Sequence, residues 1–282
     1  MSYFSIAGMQ LALPAHNNLD ILEQKTINTC KLFPWINMVV FGELAICGPG
    51  IHHSEAISGI IELRLQELAK NLGIWLIPGS YYEKADGFIY NCTPVINPDG
   101  EIVARYRKIY PFLPYEKGVA NGLNFITFDV PNIGRFGVSI CYDMWIPESI
   151  RALVYEGAEV IIHPTMTGTV DRELELCLAR SHAITNQCFF FDINNAGDLG
   201  NGQSIVVGPD GDIIFQAGEG EQVIPLEIDL NRVRRSRERG VLGLGQPLKS
   251  FRDNPIHYPQ YHGRSAHFDM LGYLQVPAKK HK

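Results

Sequence analysis

The sequence predicts an α/β fold, in which strands and helices alternate along the chain. Short apolar segments of strand length recur between longer segments with helical spacing of apolar residues. Two segments that centre on Pro-Asp-Gly turns are similar to each other, which predicts two related hairpins. The chain has 282 residues, of which 46% are hydrophobic and 19% charged, so one large domain with a substantial buried core is feasible.

The first half of the chain gives five elements before the first hairpin. In order they are a strand at residues 4–9, a helix from about 19 to 33, a strand at 38–41, a helix at 54–72 and a strand at 74–77. We expect Ser54 to cap the second helix and Gly73 to stop it. The apolar stripe of that helix consists of Ile57, Ile60, Ile61, Leu68 and Leu72.

The second half repeats this alternation. Its elements are a strand at residues 136–140, a helix at 147–155 that begins with a proline, a strand at 159–162, a helix at 171–186 and a strand at 188–193. The two similar hairpins cover residues 95–103 and 206–214. Pro-Asp-Gly is a common turn, but we favour a duplicated α–β unit that forms two similar halves of one domain.

Charge and composition exclude several classes of function. Thirty acidic and 24 basic residues give a net charge of −6, which does not attract nucleic acid or anionic lipid. The first residues lack the basic start of a secretory signal, and the apolar runs are too short to span a membrane. The six cysteines form no C-x-x-C pair and are expected to be reduced. We therefore predict a cytoplasmic protein without metal or cofactor.

The composition changes at about residue 239. The remaining residues are rich in proline and aromatic side chains and show little periodicity. We predict a main domain at residues 1–238 and a C-terminal extension at 239–282, which packs on the body or on a partner subunit. The five arginines between residues 232 and 239 are expected on a solvated helix face, or on carboxylates at a subunit contact.

Cys141 is the strongest candidate for a nucleophile. It follows the strand at 136–140 and precedes a turn and a helix, and such strand-to-helix turns expose a nucleophile beside backbone N–H groups. A buried, unreactive cysteine is the alternative. Glu43 also follows a buried strand, and α/β sheets bind ligands at that end of their strands. Lys108 and Glu116 come after the first hairpin, where an exposed basic patch is the alternative for Lys108.

Together these residues resemble the nitrilase (carbon–nitrogen hydrolase) superfamily. The order Glu43, Lys108, Glu116, Cys141 is that of the family, as are the Cys141-Tyr142-Asp143 segment and the second hairpin. The resemblance covers roughly residues 1–235. It implies a four-layer α-β-β-α sandwich with internal pseudo-two-fold symmetry, in agreement with the repeated hairpin.

The resemblance also implies a mechanism of amide hydrolysis. Cys141 would attack the carbonyl carbon to form a thioester, with Glu43 as the general acid and base. Lys108 and the backbone N–H of Tyr142 would stabilise the oxyanion, and Glu116 would orient the substrate or Lys108. Tyr142, Trp145, His163 and Asn194 are candidates for substrate contacts, although Trp145 and His163 have ordinary structural alternatives.

Two departures from the family border the expected pocket. Gly42 precedes Glu43 where the family often has proline, and Tyr110 and Pro111 replace a frequent His-Leu pair. The Cys-Tyr-Asp segment is more like amidases, so we favour amide over nitrile hydrolysis. A nitrilase, an N-carbamoyl-amine hydrolase, transfer of the acyl group to another amine and a silent regulatory subunit are the alternatives. We expect a small-molecule substrate, water as co-substrate and a homo-oligomer.

Overall fold

The computed structural model describes residues 2–113, 115–263 and 265–274, which form two β-sheets and the helices around them. The strands are β1 (Tyr3–Gln10), β2 (Met38–Phe41), β3 (Glu55–Ala56), β4 (Trp75–Ile77), β5 (Tyr81–Ala85), β6 (Phe88–Ile96), β7 (Ile102–Arg107), β8 (Ile126–Val130), β9 (Gly134–Val138), β10 (Val160–Thr165), β11 (Phe189–Asn194), β12 (Ile205–Val207), β13 (Ile213–Gln216) and β14 (Gln222–Asp229). The α-helices are α1 (Leu19–Leu32), α2 (Ile60–Leu72), α3 (Pro147–Tyr155), α4 (Arg172–Asn186), α5 (Asn231–Arg239), α6 (Pro247–Asp253) and α7 (Ala266–Asp269).

The two sheets share one arrangement of strands. In the first sheet β1, β2 and β4 run parallel, β14 pairs antiparallel with β1, and β6 and then β7 continue antiparallel beyond β4. In the second sheet β9, β10 and β11 run parallel, β8 pairs antiparallel with β9, and β12 and then β13 continue antiparallel beyond β11. The repeated hairpins are β6–β7 and β12–β13, at equivalent places. This matching topology is the predicted pseudo-two-fold relation, and β5 and β3 extend only the first sheet.

Side-chain alternation along the strands divides the core into layers. In β2, Val40 contributes to the core between the sheets, whereas Val39 packs with α1 and α2. In β10, Ile162 faces the other sheet and Ile161 packs with α3 and α4. Successive residues of a strand point to opposite faces, so each sheet is covered by the other sheet on one side and by helices on the other. The four-layer α-β-β-α sandwich is confirmed.

The predicted helix at 54–72 is wrong at its start. Residues 55 and 56 form β3, Ser58 has a φ of 56°, and Gly59 is extended before α2 begins at Ile60. The positive φ cannot continue a right-handed helix, so the predicted cap at Ser54 has no helix to cap. Ile57 and Ile60, which we placed on the apolar stripe, are 42% and 64% exposed. Gly73 does end the helix, in the left-handed conformation expected of such a stop.

The C-terminal residues divide into a packed and an exposed part. Helix α5 is held to the body, because Arg232 pairs with Asp212 and Arg234 with Glu159, so its arginines are not simply solvated. In α6, Leu248 packs against the core beneath α3 and α4. Beyond α6, Tyr258 is half-buried and stacks on Phe251. The other large apolar side chains of this described part are more than half exposed, and they are Ile256, Tyr261, Phe268, Met270, Leu271, Tyr273 and Leu274. Residues 264 and 275–282 of the predicted extension lie outside the described part.

Within the described residues, no helix has both the length and the apolar character needed to cross a membrane.

We expect Phe136→Ala to lower the free energy of unfolding by about 3–5 kcal/mol, because it opens a cavity between the sheets. The Phe136 side chain is fully buried, stacks with Phe128 and packs edge-to-face with Phe4. Urea denaturation measures the change. Phe88→Ala is the matched control, since that ring is 58% exposed, and we expect a change of about 0.5 kcal/mol or less. Equal losses in the two variants would contradict the assignment of the core.

Candidate active site

A cavity of about 540 Å³ opens where the carboxyl ends of β2 and β10 and the turn after β9 meet. Open α/β sheets bind ligands at this end of their parallel strands. Six of the eight residues predicted from the sequence line the cavity. They are Glu43, Lys108, Glu116, Cys141, Tyr142 and Trp145.

The backbone of Glu43 is fixed by contacts to the second sheet. Its N–H donates to the carbonyl of Thr165 at 3.1 Å, and its carbonyl accepts from the side-chain amide of Asn195 at 2.7 Å. A Cβ at Gly42 would lie 2.5 Å from Asn195 Oδ1, so no larger residue fits before Glu43. This explains the glycine that departs from the family pattern. The position of Glu43 is thus fixed by contacts between the first and the second sheet.

Lys108 lies immediately after β7 and is buried between two carboxylates. Its ammonium donates to Glu43 Oε1 and to Glu116 Oε2, both at 2.7 Å. The side-chain amide of Asn91 donates to the same two carboxylates, at 2.8 and 2.7 Å, and the backbone N–H of Phe112 donates to Glu116 at 2.6 Å. Both oxygens of Glu116 and Oε1 of Glu43 thus have donors, as a buried ionic cluster requires.

The three charged side chains of this cluster shift one another's pKa values. Burial alone would lower the pKa of Lys108, but Glu43 and Glu116 raise it well above its usual range. Burial also acts to raise the pKa of Glu116, yet Lys108 and the hydrogen bonds from Phe112 and Asn91 lower it below its usual value. For Glu43 burial prevails and raises the pKa, with a further increase from the Glu116 charge. Lys108 and Glu116 are therefore held ionised, whereas Glu43 is the carboxylate that more readily accepts a proton.

Cys141 begins a short 3₁₀-helix, Cys141–Trp145, and has a φ of 46°. A positive φ is uncommon outside glycine and is typical of strained nucleophile turns. Asp143 holds the turn in place, since it accepts hydrogen bonds from the N–H groups of Ile140 and Tyr110 and from the hydroxyl of Tyr106, at 2.9, 2.9 and 2.6 Å. At this helix start the N–H of Tyr142 has no acceptor within the helix.

The Cys141 side chain is only 8% exposed, and its surroundings oppose ionisation. Burial raises its pKa well above the usual value, and the negative charge of Glu43 adds to this, while Lys108 acts in the opposite direction. The thiol is therefore protonated at neutral pH. A nucleophilic role then requires a base that removes the proton, and Glu43 is the carboxylate whose charge acts most strongly on the thiol.

His163 and Asn194, two predicted substrate contacts, lie behind the cavity wall. His163 is fully buried within β10, where its Nδ1 is 2.7 Å from the Ser139 hydroxyl. The side chain of Asn194 accepts from the N–H of Thr167 and donates to the Thr167 carbonyl, each at 2.9 Å. These two residues therefore support the site from outside the cavity, and the expectation of direct contact is corrected.

The sequence analysis missed several cavity residues, and two of them, Thr167 and Glu175, connect to Cys141. Thr167 Oγ1 lies 3.9 Å from the sulfur of Cys141 and donates to Glu175 at 3.0 Å. Glu175 extends from α4 and is also paired with Arg172 at 3.1 Å. The sequence does contain a signal, because Arg172 and Glu175 occupy the same helical stripe as Ala179 and Ala183, where apolar residues are expected.

In the described ranges, no group of three or more His, Cys, Asp or Glu side chains has an arrangement that could hold a metal ion.

Comparison with known proteins places this site in a family. Residues 22–238 match the carbon-nitrogen hydrolase family. The human omega-amidase NIT2 is 33% identical over 205 residues, which are 66% of this chain and 73% of that protein. The omega-amidase NIT3 of Saccharomyces cerevisiae is 34% identical over 195 residues, 62% of this chain and 65% of the relative.

A solved structure agrees with the sequence matches. The crystal structure of Saccharomyces cerevisiae Nit3, a member of branch 10 of the nitrilase superfamily, superimposes with a TM-score of 0.77. The sequences are 28% identical in this comparison, which covers 84% of this chain and 94% of Nit3. The chain belongs to the carbon–nitrogen hydrolase family, as an amidase-like member of the nitrilase superfamily and a hydrolase of carbon–nitrogen bonds other than peptide bonds.

Proposed function

We propose that the enzyme hydrolyses a small-molecule carboxamide to a carboxylate and ammonia through a thioester on Cys141. The observation that carries this proposal is the placement of the Cys141 thiol in one cavity with the Glu43 carboxylate and the buried Lys108 ammonium that pairs with it. The raised pKa values of Cys141 and Glu43 agree with it. The human and yeast relatives are named omega-amidases, which favours an amide over a nitrile. The cavity volume of about 540 Å³ suits a small molecule.

In the first step Cys141 attacks the amide carbon. Glu43 takes the thiol proton as the carbon–sulfur bond forms, because the buried thiol does not ionise by itself. The carbonyl oxygen becomes an oxyanion, which the Lys108 ammonium and the Tyr142 N–H stabilise. One such donor typically contributes about 3–4 kcal/mol to the transition state.

In the second step the carbon–nitrogen bond breaks. Glu43 gives its proton to the departing nitrogen, ammonia leaves, and the acyl group remains on sulfur as a thioester. Water then attacks the thioester, Glu43 accepts a proton from that water, and the proton returns to the sulfur when the carboxylate product leaves. The raised pKa of Glu43 suits a group that both takes and gives a proton.

Glu116 is proposed as a positioning residue. Its lowered pKa keeps it ionised, and its bond to Lys108 holds the ammonium charged and oriented towards Glu43. Asn91 joins the two carboxylates and fixes their spacing. This arrangement leaves Glu43 as the single carboxylate that exchanges protons during the reaction.

We also propose a cytoplasmic homo-oligomer in which residues 239–282 contact a partner subunit. The exposed apolar side chains beyond α6 support this, because monomeric proteins rarely expose so many close together in sequence.

We expect Cys141→Ala to abolish ammonia release from simple amides, because Cys141 is the one thiol among the described residues that line the cavity. Wild type quenched during turnover should carry one added acyl group on Cys141, detectable by intact mass and peptide mapping. Cys177→Ala is the control, since Cys177 is exposed and lies outside the cavity lining. Ammonia release by Cys141→Ala at the wild-type rate would refute the mechanism.

Two matched substitutions separate the roles of the carboxylates that flank Lys108. We expect Glu43→Gln to lower the rate of Cys141 acylation by about 10²–10⁴-fold, the usual contribution of a general base. Glu116→Gln should lower this acylation rate less than Glu43→Gln does, because Glu43 remains to transfer the proton. Rapid-quench mass spectrometry of the acyl-enzyme gives both rates. A larger loss in Glu116→Gln than in Glu43→Gln would exchange the proposed roles.

The subunit contact is tested by truncation after Asn254, which keeps α6 on the body and removes the exposed apolar residues. We expect the mass measured by light scattering to fall relative to the full chain, while the urea midpoint of the body is retained. An unchanged mass would contradict the proposal that these residues contact a partner subunit.

A further inference from the structure

The cavity carries an excess of negative charge away from the thiol. Asp171, Glu175 and Asp198 line it, in addition to the two carboxylates that flank Lys108. Among the described lining residues Lys108 is the one cation, and it is already shared by Glu43 and Glu116. No ion pair in the described residues neutralises Asp171 or Asp198. The part of the cavity beyond the reacting centre therefore has a negative potential.

Glu175 belongs to a buried ionic group that lacks one cation whenever Glu175 is ionised. Arg172 donates to Glu175 at 3.1 Å and to Asp192 at 2.7 Å, so a single guanidinium serves two carboxylates. The three side chains are at most 2% exposed, so water does not screen the excess negative charge. An additional cation beside Glu175 would balance the group.

Glu175 lines the cavity, and its Oε1, which is not paired with Arg172, is bonded to two other cavity residues. Glu175 Oε1 accepts from Thr167 Oγ1 at 3.0 Å and from the indole N–H of Trp145 at 3.4 Å. Thr167 in turn lies 3.9 Å from the sulfur of Cys141. A substrate group that reaches Glu175 is thus only a few bonds from the carbon that Cys141 attacks.

The aromatic rings of Phe112, Tyr142 and Trp145 also line the cavity, and we call them the aromatic wall. The ring of Phe112 lies 4.9 Å from that of Tyr142, which is 6.2 Å from the ring of Trp145, measured between centroids. Aromatic faces attract ammonium and guanidinium groups, and the attraction is strongest where water is excluded. A carboxylate beside aromatic rings is a combination that favours an organic cation over a neutral or anionic group.

We propose that the acyl part of the substrate carries an ammonium or guanidinium group that binds between Glu175 and the aromatic wall; this rests on the proposed amide hydrolysis at Cys141. The cationic group balances the carboxylate excess and directs the amide carbon to the sulfur. A substrate with a carboxylate in this place is repelled by Glu175 and by the acidic residues at the cavity.

Titration of Glu175 gives the proposal a distinctive pH dependence. Burial and then the charge of Asp192 raise the pKa of Glu175 to about 7, although Arg172 opposes them. The charges that face Glu175 are Arg172 on its own helix, Asp192 on β11 and, when ionised, Cys141. Because the raised pKa leaves Glu175 mainly neutral below pH 7 and ionised above it, the preference for a cationic amide should increase between pH 6 and 8, by about tenfold.

The test compares three amides of equal length, namely 4-aminobutanamide, pentanamide and glutaramate, which end in an ammonium, a methyl and a carboxylate. We expect kcat/KM at pH 8 for 4-aminobutanamide to exceed that for pentanamide by about tenfold or more, the scale of a charged hydrogen bond, with glutaramate the poorest. In Glu175→Gln the ratio of the first two values should fall to about one and lose its pH dependence. Glu173→Gln is the matched control, because that side chain is exposed on the same helix, and its ratio should equal that of wild type.

The outcomes separate this proposal from the proposed function. Hydrolysis of all three amides at similar kcat/KM, or a cationic preference that survives in Glu175→Gln, overturns the cationic subsite and leaves amide hydrolysis in place. If wild type hydrolyses none of them, the proposed function fails, and calorimetric titration of the Cys141→Ala variant then tests the subsite alone. In that titration, tighter binding of 4-aminobutanamide than of pentanamide supports the subsite, and equal binding overturns it.

Discussion

The buried ammonium of Lys108, held between Glu43 and Glu116, is the constraint on which the site depends. Two carboxylates and one ammonium out of water are stable only if each charged atom has partners, and loss of one partner of a buried pair typically costs about 3–5 kcal/mol. The amide of Asn91 supplies further hydrogen bonds to the carboxylates, and the N–H of Phe112 supplies one more. Burial of the same cluster raises the pKa of Glu43, although Lys108 opposes this, so one buried arrangement accounts both for the stability of the site and for a carboxylate suited to the proposed proton transfer.

Much of the fold follows from patterns that act locally. Strand-length apolar runs between helical stripes predict the alternation, and the two Pro-Asp-Gly segments predict hairpins β6–β7 and β12–β13. The start of α2 could not be predicted in this way. Its helical spacing continues back to Ile57, but the positive φ of Ser58 interrupts the backbone, and nothing in the side-chain pattern indicates it.

The residues of the candidate site could also be predicted from the sequence only in part. Glu43, Lys108, Glu116 and Cys141 lie in one cavity as their order in the chain predicts, whereas His163 does not reach it. Strand-end position alone does not determine the direction of a side chain, because a shift of one residue moves it to the opposite face. His163 follows Ile162, which faces the other sheet, and so it points towards the helices and packs on Phe190. Contacts such as that of Thr167 with Glu175 depend on how a loop meets a helix, which periodicity does not encode.

The two pseudo-symmetric halves contribute different residues to the candidate site. Glu43, Lys108 and Glu116 come from the segments of the first sheet, and Cys141 comes from the turn after β9 in the second. During synthesis the ribosome therefore releases Glu43, the proposed proton-transfer group, well before Cys141, the proposed nucleophile. An isolated first half contains no thiol at this site, and an isolated second half contains a thiol without its base. With the proposed mechanism, reactivity requires that the two sheets have packed together, so a partly folded chain would not carry an assembled reactive centre.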